Sequence, residues 1–184
     1  MSRVVLVAGA PGSGKTTLSR RLAGDLGWVL LAKDALKETI ADAVGVSGVG
    51  ESGRVGLAAV RVLYSVASQL AGRGVPVVVE SAFHAGRARA DLAPLLAVAA
   101  GVVVECVAPV EVCAQRYAAR VAAGGRHPCH FDAERLAGGG PDFAAYGPLG
   151  LAVPTLRVDT VDGYEPGYAE VLAFVSGGVV PLTA

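Results

Sequence analysis

Short runs of consecutive apolar residues alternate along this chain with longer stretches whose apolar positions recur every three or four residues. The runs predict strands buried on both faces, and the stretches predict helices with one apolar face. Val4–Ala8 is the first run, and Gly14–Leu26 follows as a helix that Gly27 stops. Trp28–Lys33 predicts a short second strand, and about Ala35 to Val44 a second helix. Gly45 to Gly53, rich in Gly and Ser, reads as a loop. Beyond it Val55, Ala59, Leu63, Val66 and Leu70 keep helical spacing, which predicts an amphipathic helix over roughly Arg54–Ala71. Val75–Glu80, Val102–Val107 and Leu156–Asp159 supply further strands, with helices over Arg87–Ala100, Glu111–Ala123 and Tyr168–Val175. Arg126 to Gly150 is rich in Gly, Pro and His and holds one short helical piece, about Asp132–Ala137.

Strands alternating with helices predict an α/β fold with a parallel sheet of about five strands and right-handed crossovers. Ligands of such sheets bind at the carboxyl ends of the strands, so residues just after strand ends are the ones to read for chemistry. No internal repeat or second domain is visible, and residues 1–184 read as one domain.

Composition narrows the function. Apolar residues make up 53% and charged residues 17%, which suits strands buried on both faces. A formal net charge of +0 argues against a protein that grips nucleic acid through its phosphates, though not against a small basic groove. Of 16 basic residues only Lys15, Lys33 and Lys37 are lysines. Where arginine is the default cation a lysine marks a candidate site, although codon usage gives the same skew. Cys106, Cys113 and Cys129 form no C-x-x-C pair, and an odd count suits a reducing compartment. Met1-Ser2-Arg3 leads straight into a strand rather than a signal peptide. The longest apolar stretch, Leu92 to Val104, is broken by Pro94 and Gly101 and is too short to span a bilayer. These features predict a soluble, cytoplasmic protein with no membrane partner.

The segment Gly9-Ala10-Pro11-Gly12-Ser13-Gly14-Lys15-Thr16 matches G-x-x-x-x-G-K-[ST] between a strand and a helix. Its glycines let backbone N–H groups converge on phosphate oxygens. Lys15 can reach the β- and γ-phosphates and Thr16 can hold Mg²⁺, while the helix offers its positive N-terminus to the anion. A turn that used glycine for geometry alone would need neither Lys15 nor Thr16. The segment predicts binding of a nucleoside triphosphate.

Asp34 is the first candidate for chemistry. Helix Gly14–Leu26 runs about 18–20 Å away from the loop, and strand Trp28–Lys33 returns over about 20 Å. Asp34 is therefore expected back at the level of the triphosphate, where a carboxylate can take the proton of an attacking hydroxyl. The alternative is an N-cap on the following helix. Lys37, one turn on, can hold an anionic substrate group or stand solvated. Lys33 is expected to point away, because strand side chains alternate.

Val77-Val78-Val79-Glu80 and Val102-Val103-Val104-Glu105 both read as an apolar run ending in an acid that can serve Mg²⁺. Glu80 is favoured, since its strand stops there. Ser81, Phe83 and His84 follow it as substrate-pocket candidates, with ordinary loop packing as the alternative for Phe83 and His84. Arg116 and Arg120 share a helix face at i,i+4, and Arg126 follows Gly124-Gly125. A glycine-flanked arginine segment can close over a triphosphate and neutralise charge in the transition state, whereas a solvated basic face is the plain alternative. His127, Cys129 and His130 are too crowded to surround one zinc and read as a rigid turn beside that lid.

With these residues in place, the chain resembles the AAA_33-type P-loop kinase-like ATPases. Their relatives include the 5′-hydroxyl kinase domain of polynucleotide kinase, chloramphenicol phosphotransferase, zeta toxin and gluconate kinase. The resemblance rests on Gly9 to Leu18, Lys33 to Glu38, Val79 to Phe83 and the arginine segment. It implies a three-layer P-loop NTPase fold with an arginine-bearing lid over about 116–150, and ATP with Mg²⁺ as cofactors. It further implies nucleotide contacts along Gly9, Ala10, Pro11, Gly12, Ser13, Gly14, Lys15, Thr16 and Thr17, with Arg126 joining them. Asp34 would be the base, with Lys15, Arg116 and Arg120 assisting. Glu80, where relatives often carry Asp, departs from the pattern and leaves its Mg²⁺ role open. The leading expectation is a small-molecule kinase. A polynucleotide 5′-hydroxyl kinase and a nucleotide-dependent switch protein are the rivals. Acceptor, nucleobase preference and oligomeric state are not legible.

Overall fold

A computed structural model describes residues 2–177. Five parallel strands form one sheet in the order β2-β3-β1-β4-β5. They are β1 (Ser2–Ala8), β2 (Val29–Ala32), β3 (Val77–Glu80), β4 (Ala99–Val107) and β5 (Thr155–Asp159). The helices are α1 (Lys15–Leu26), α2 (Lys33–Val44), α3 (Val49–Gly72), α4 (Ala85–Val98), α5 (Val110–Ala123), α6 (Asp132–Ala137) and α7 (Tyr168–Val175). Short 3-10 turns lie at Pro128–His130 and Phe143–Tyr146.

The strand period of two divides β1 between two cores. Val4, Leu6 and Ala8 pack with Leu63 and Ala67 of α3 and Leu92 and Leu95 of α4. Val5 and Val7 pack with Leu18 and Leu22 of α1 and Val171 and Val175 of α7. Each fully buried Leu or Val contributes about 1.5–3 kcal/mol, and the sheet lies between two helical layers as the resemblance implied. Helix α3 is long and apolar enough to cross a membrane, but Ala59, Leu63, Ala67 and Ala71 are buried, with Leu63, Ala67 and Ala71 packed in the core against the sheet.

Three boundaries differ from expectation, and two of them shape the site. Helix α3 starts at Val49, inside the expected loop. Gly50 and Gly53 are poor helix formers. The backbone N–H and hydroxyl of Ser47 both donate to Glu51, at 2.9 and 2.7 Å, which fixes the first turn despite them. Strand β2 ends at Ala32, so Lys33 opens α2 instead of ending the strand, and Asp34 lies in the helix's first turn instead of before it. Helix α4 stops at Val98, and β4 begins at Ala99, paired with Ser2, three residues before the expected start.

Candidate active site

The phosphate loop leaves the end of β1 with Gly9 at φ 148° and Gly12 at φ 85°. A Cβ on Gly9 would lie 2.3 Å from Ser13 Oγ and 2.5 Å from the Cys106 carbonyl oxygen; one on Gly12 would lie 2.4 Å from that of Cys113. Both glycines are required by dihedral and by close approach. Gly14 begins α1 with no capping side chain, and the first turn carries no acid. The helix's orphan N–H groups are thus open to an anion, and the cradle fits a polyphosphate. Lys15 Nζ donates to the Ala10 carbonyl at 3.3 Å and stands 3.9 Å from Glu80. Burial lowers the Lys15 pKa, opposed by Glu80 and Asp34.

One cavity of about 610 Å³ runs from Pro11, Lys15 and Thr16 past Glu80 to Asp34 and on to Lys37. Thr17 is exposed on the same helical turn as Thr16 and outside the cavity lining. Glu80 is buried at the end of β3, and burial raises its pKa against the pull of Lys15. The Thr16 hydroxyl and Glu80 carboxylate are hard oxygen donors of the kind Mg²⁺ takes. Glu105 is elsewhere: it accepts the Leu149 N–H at 2.9 Å and is satisfied by backbone.

Asp34 does reach the cavity, in the first turn of α2 rather than at its cap. Lys33 lies 3.0 Å from one of its oxygens, and Arg126 donates to the other. Lys33 was expected to face away; because it begins a helix, strand alternation does not govern it, and it lines the cavity. Burial would raise the Asp34 pKa, but Lys33 and Arg126 together hold it well below the usual carboxylate range. Arg126 also grips Asp132, with Nη1 at 2.8 and 2.6 Å from its two oxygens, and the Tyr117 hydroxyl donates to Asp132 at 2.8 Å.

The i,i+4 pair on α5 does not act in one place. Arg120 faces the cavity, 5.3 Å over the Tyr117 ring, with no hydrogen bond or ion pair among the described residues. Arg116, expected beside it in the lid, lies outside the cavity. Its Nη2 donates to the carbonyls of Thr160 at 2.8 Å and Val161 at 2.9 Å, and its Nη1 to that of Gly12 at 3.4 Å. Thr160 Oγ1 in turn donates to the Ser13 carbonyl at 2.9 Å. Arg116 therefore braces the back of the phosphate loop against the end of β5.

Ser81 and His84 line the cavity, and the His84 ring lies 5.1 Å from that of Tyr146. Phe83 does not line it. At φ 44° it turns inward, stacks with Tyr64 at 6.3 Å and is part of the core. Lys37 is buried and lines the far end, its Nζ donating to Ser52 Oγ at 2.7 Å. The turn after Arg126 docks on α2: His127 Nε2 lies 3.0 Å from Asp42 and His130 Nε2 2.8 Å from Glu38.

Sequence reasoning missed Arg87, Arg135 and Tyr146, and took Ser52 only as part of the Gly45–Gly53 loop expected beside the acceptor; all four line the cavity. Ser52 was hidden in a segment that reads as loop. Arg135 sits in α6, the expected short helix, where its spacing to any other site residue carries no signal.

A family described as AAA domain, AAA_33, matches residues 4–139. No curated protein is detectably similar to the chain. Among solved structures, a protein of Chloroflexus aurantiacus provisionally described as a kinase is 32% identical, with a TM-score of 0.81 over 97% of this chain and 99% of that one. A sugar kinase from Janibacter sp. is 20% identical, with a TM-score of 0.64 over all of both chains. A gluconokinase from Sinorhizobium meliloti is 20% identical, with a TM-score of 0.55 over 94% of this chain and 91% of that one. The last two likenesses bear on the fold alone.

Proposed function

This chain belongs to the AAA_33 family of P-loop domains, and from that premise we propose that it is a kinase transferring the γ-phosphoryl of ATP to a hydroxyl of a small molecule. The protein is P-loop kinase-like and resembles small-molecule kinases, and membership of the family implies ATP binding. One observation carries the finer reading: the cavity that begins at Lys15 and Thr16 continues unbroken to Asp34 and Arg120. A binding switch needs the first pair and has no use for the second.

The phosphate loop from Gly9 to Thr16 would hold the triphosphate, with Lys15 exchanging the Ala10 carbonyl for phosphate oxygens. Mg²⁺, when bound through Thr16 and Glu80, neutralises phosphate charge. Asp34 would orient the acceptor hydroxyl and take its proton. A carboxylate held so firmly ionised is a weak base, which suits the loose transition state of phosphoryl transfer, where the proton is needed late. Arg120, which has no partner among the described residues, would meet the charge of the transferring group. Such an ATP-consuming enzyme with three free cysteines suits the cytoplasm.

The test is ATP-dependent mass gain across a metabolite panel, run beside end-labelling of an oligonucleotide. Transfer to a small molecule alone supports the proposal. Labelling of the oligonucleotide, or ATP binding with no transfer to anything, sinks it.

A further inference from the structure

The far end of the cavity holds an electrostatic arrangement that the fold alone does not explain. Lys37 is 4% exposed, and its one hydrogen-bond partner among the described residues is the Ser52 hydroxyl. That hydroxyl gives its proton to the Cys129 carbonyl at 2.6 Å, so it can only accept from Lys37. Arg135 Nη2 approaches the same oxygen at 3.4 Å. The other partners of Arg135 are the carbonyls of His130, at 2.9 Å, and Val49, at 3.5 Å. Two cations thus converge on one neutral oxygen and are satisfied by neutral groups only. No acid that shares the cavity pairs with either cation, and Asp34 offsets Lys37 only weakly from a distance. Asp34 is committed to Lys33 and Arg126, Glu80 faces Lys15, and Asp132 holds Arg126. Glu134 and Asp142 line the cavity but pair with neither cation.

A buried ammonium with no counter-ion is costly, and a second cation beside it raises the cost. Burial, then Lys33 and Arg135 among the charges, lower the Lys37 pKa to about 8, so it stays mostly charged at neutral pH. The wall beside it is apolar, formed by Val49, Leu57 and Val60 of α3, and can take a carbon skeleton.

We infer that Lys37, Ser52 and Arg135 form an anion subsite, and that the acceptor is a hydroxyl compound carrying a carboxylate or a phosphate. The acid group binds between Lys37 and Arg135 while the reacting hydroxyl faces Asp34. This deepens the kinase reading and rests on it for the word acceptor. The subsite itself is a statement about binding and can be tested without turnover.

The chain's three lysines all line this cavity, so lysine side-chain NMR gives three signals, assignable by single substitutions. Full-length protein labelled at the lysine ε-position would be titrated with matched probes: sugar acids, sugar phosphates and the corresponding neutral sugars and polyols. The expected result is that acids of at least one kind move the Lys37 signal and keep it protonated to higher pH, while neutral partners do not. Lys37→Gln and Arg135→Gln should each weaken binding of that acid about ten- to hundred-fold, with Arg135→Lys recovering part of it. Comparing the acid and phosphate arms names the group. Neutral probes binding as well as acids, no acid moving Lys37, or undiminished binding by Lys37→Gln overturns the subsite. Transfer from ATP is scored separately. Acid binding without transfer would sink the kinase reading and leave the subsite standing, and transfer to neutral acceptors alone would do the reverse.

Discussion

Arg126 donates to Asp34 through one guanidinium nitrogen and to both oxygens of Asp132 through the other. The carboxylate proposed to receive the acceptor's proton is thereby fastened to the segment that follows α5 and to the first residue of α6. Arg126 carries more of the site's order than its place in a glycine-rich segment suggests.

Replacing Arg126 with Gln should let the Asp34 carboxyl rise toward the ordinary range, although Lys33 will keep it below. A depressed carboxylate contributes stability that is present above its unfolded value, about 3.9, and lost as pH falls through the folded one. Asp132 is lowered too, with Arg126 overcoming burial, and acts in the same direction. The stability gap between wild type and variant should therefore be open at pH 7 and close below about pH 4. Carboxyl ¹³C titration with chemical denaturation at several pH values checks both; an unmoved Asp34 would refute the tie.

Asp34→Asn should leave nucleotide binding within about twofold and reduce transfer by roughly 10²–10⁴, the usual worth of a positioned base. Calorimetric ATP titration beside steady-state turnover reads the two effects separately.

The two arginines of α5 should fail in different ways. Arg120→Ala should lower kcat about 10²–10³ with little change in the ATP KM, because the interaction is made with developing charge. Arg116→Ala should instead raise the ATP KM, since it frees Gly12 from the Thr160 and Val161 carbonyls. Identical kinetic defects in both variants would contradict the separation.

Much of this is legible in the amino-acid sequence itself. The phosphate loop, the parallel sheet and the return of Asp34 follow from a short motif, a period of two and matched element lengths. What was not legible came from tertiary contacts overriding local preference. Ser52 belongs to a helix whose first turn Ser47 fastens through Glu51, and that contact leaves no periodic trace. Lys33 was misread because a one-residue shift in where β2 ends decides which way it points. Arg116 and Arg120 share a helix face, yet long side chains on one face can serve different neighbours.

Lys37→Met should make the protein more stable at pH 7, by about 1–3 kcal/mol, while weakening acceptor binding. The folded pKa of about 8 lies below the unfolded value, so the unfolded chain binds more protons between about pH 8 and 10.5. Wild-type stability therefore gains on the variant as pH rises through that window. Denaturant melts of both proteins from pH 7 to 10.5 should show the gap narrowing. A variant less stable than wild type at pH 7 would mean Lys37 is a structural cation.

Gly53 lies inside α3, lines the cavity, and a Cβ placed on it meets nothing within 4 Å. Gly53→Ala should stabilise the fold by about 0.5–1 kcal/mol through helix propensity. Gly53→Leu should raise the acceptor KM at least tenfold with the ATP KM unchanged, because its side chain enters space meant for the acceptor.

The placement of every lysine in one cavity also decides how the protein meets electrophiles. Elsewhere its cations are guanidinium groups, which acylating reagents and aldehydes scarcely touch. An activated ester or acyl phosphate would find its side-chain amines only beside the phosphate loop and the acceptor end. Covalent tagging of lysine thereby becomes a measure of site occupancy, blocked by whatever fills the cavity, and the same chemistry offers a route to inhibitors that spare the arginine-bearing surface.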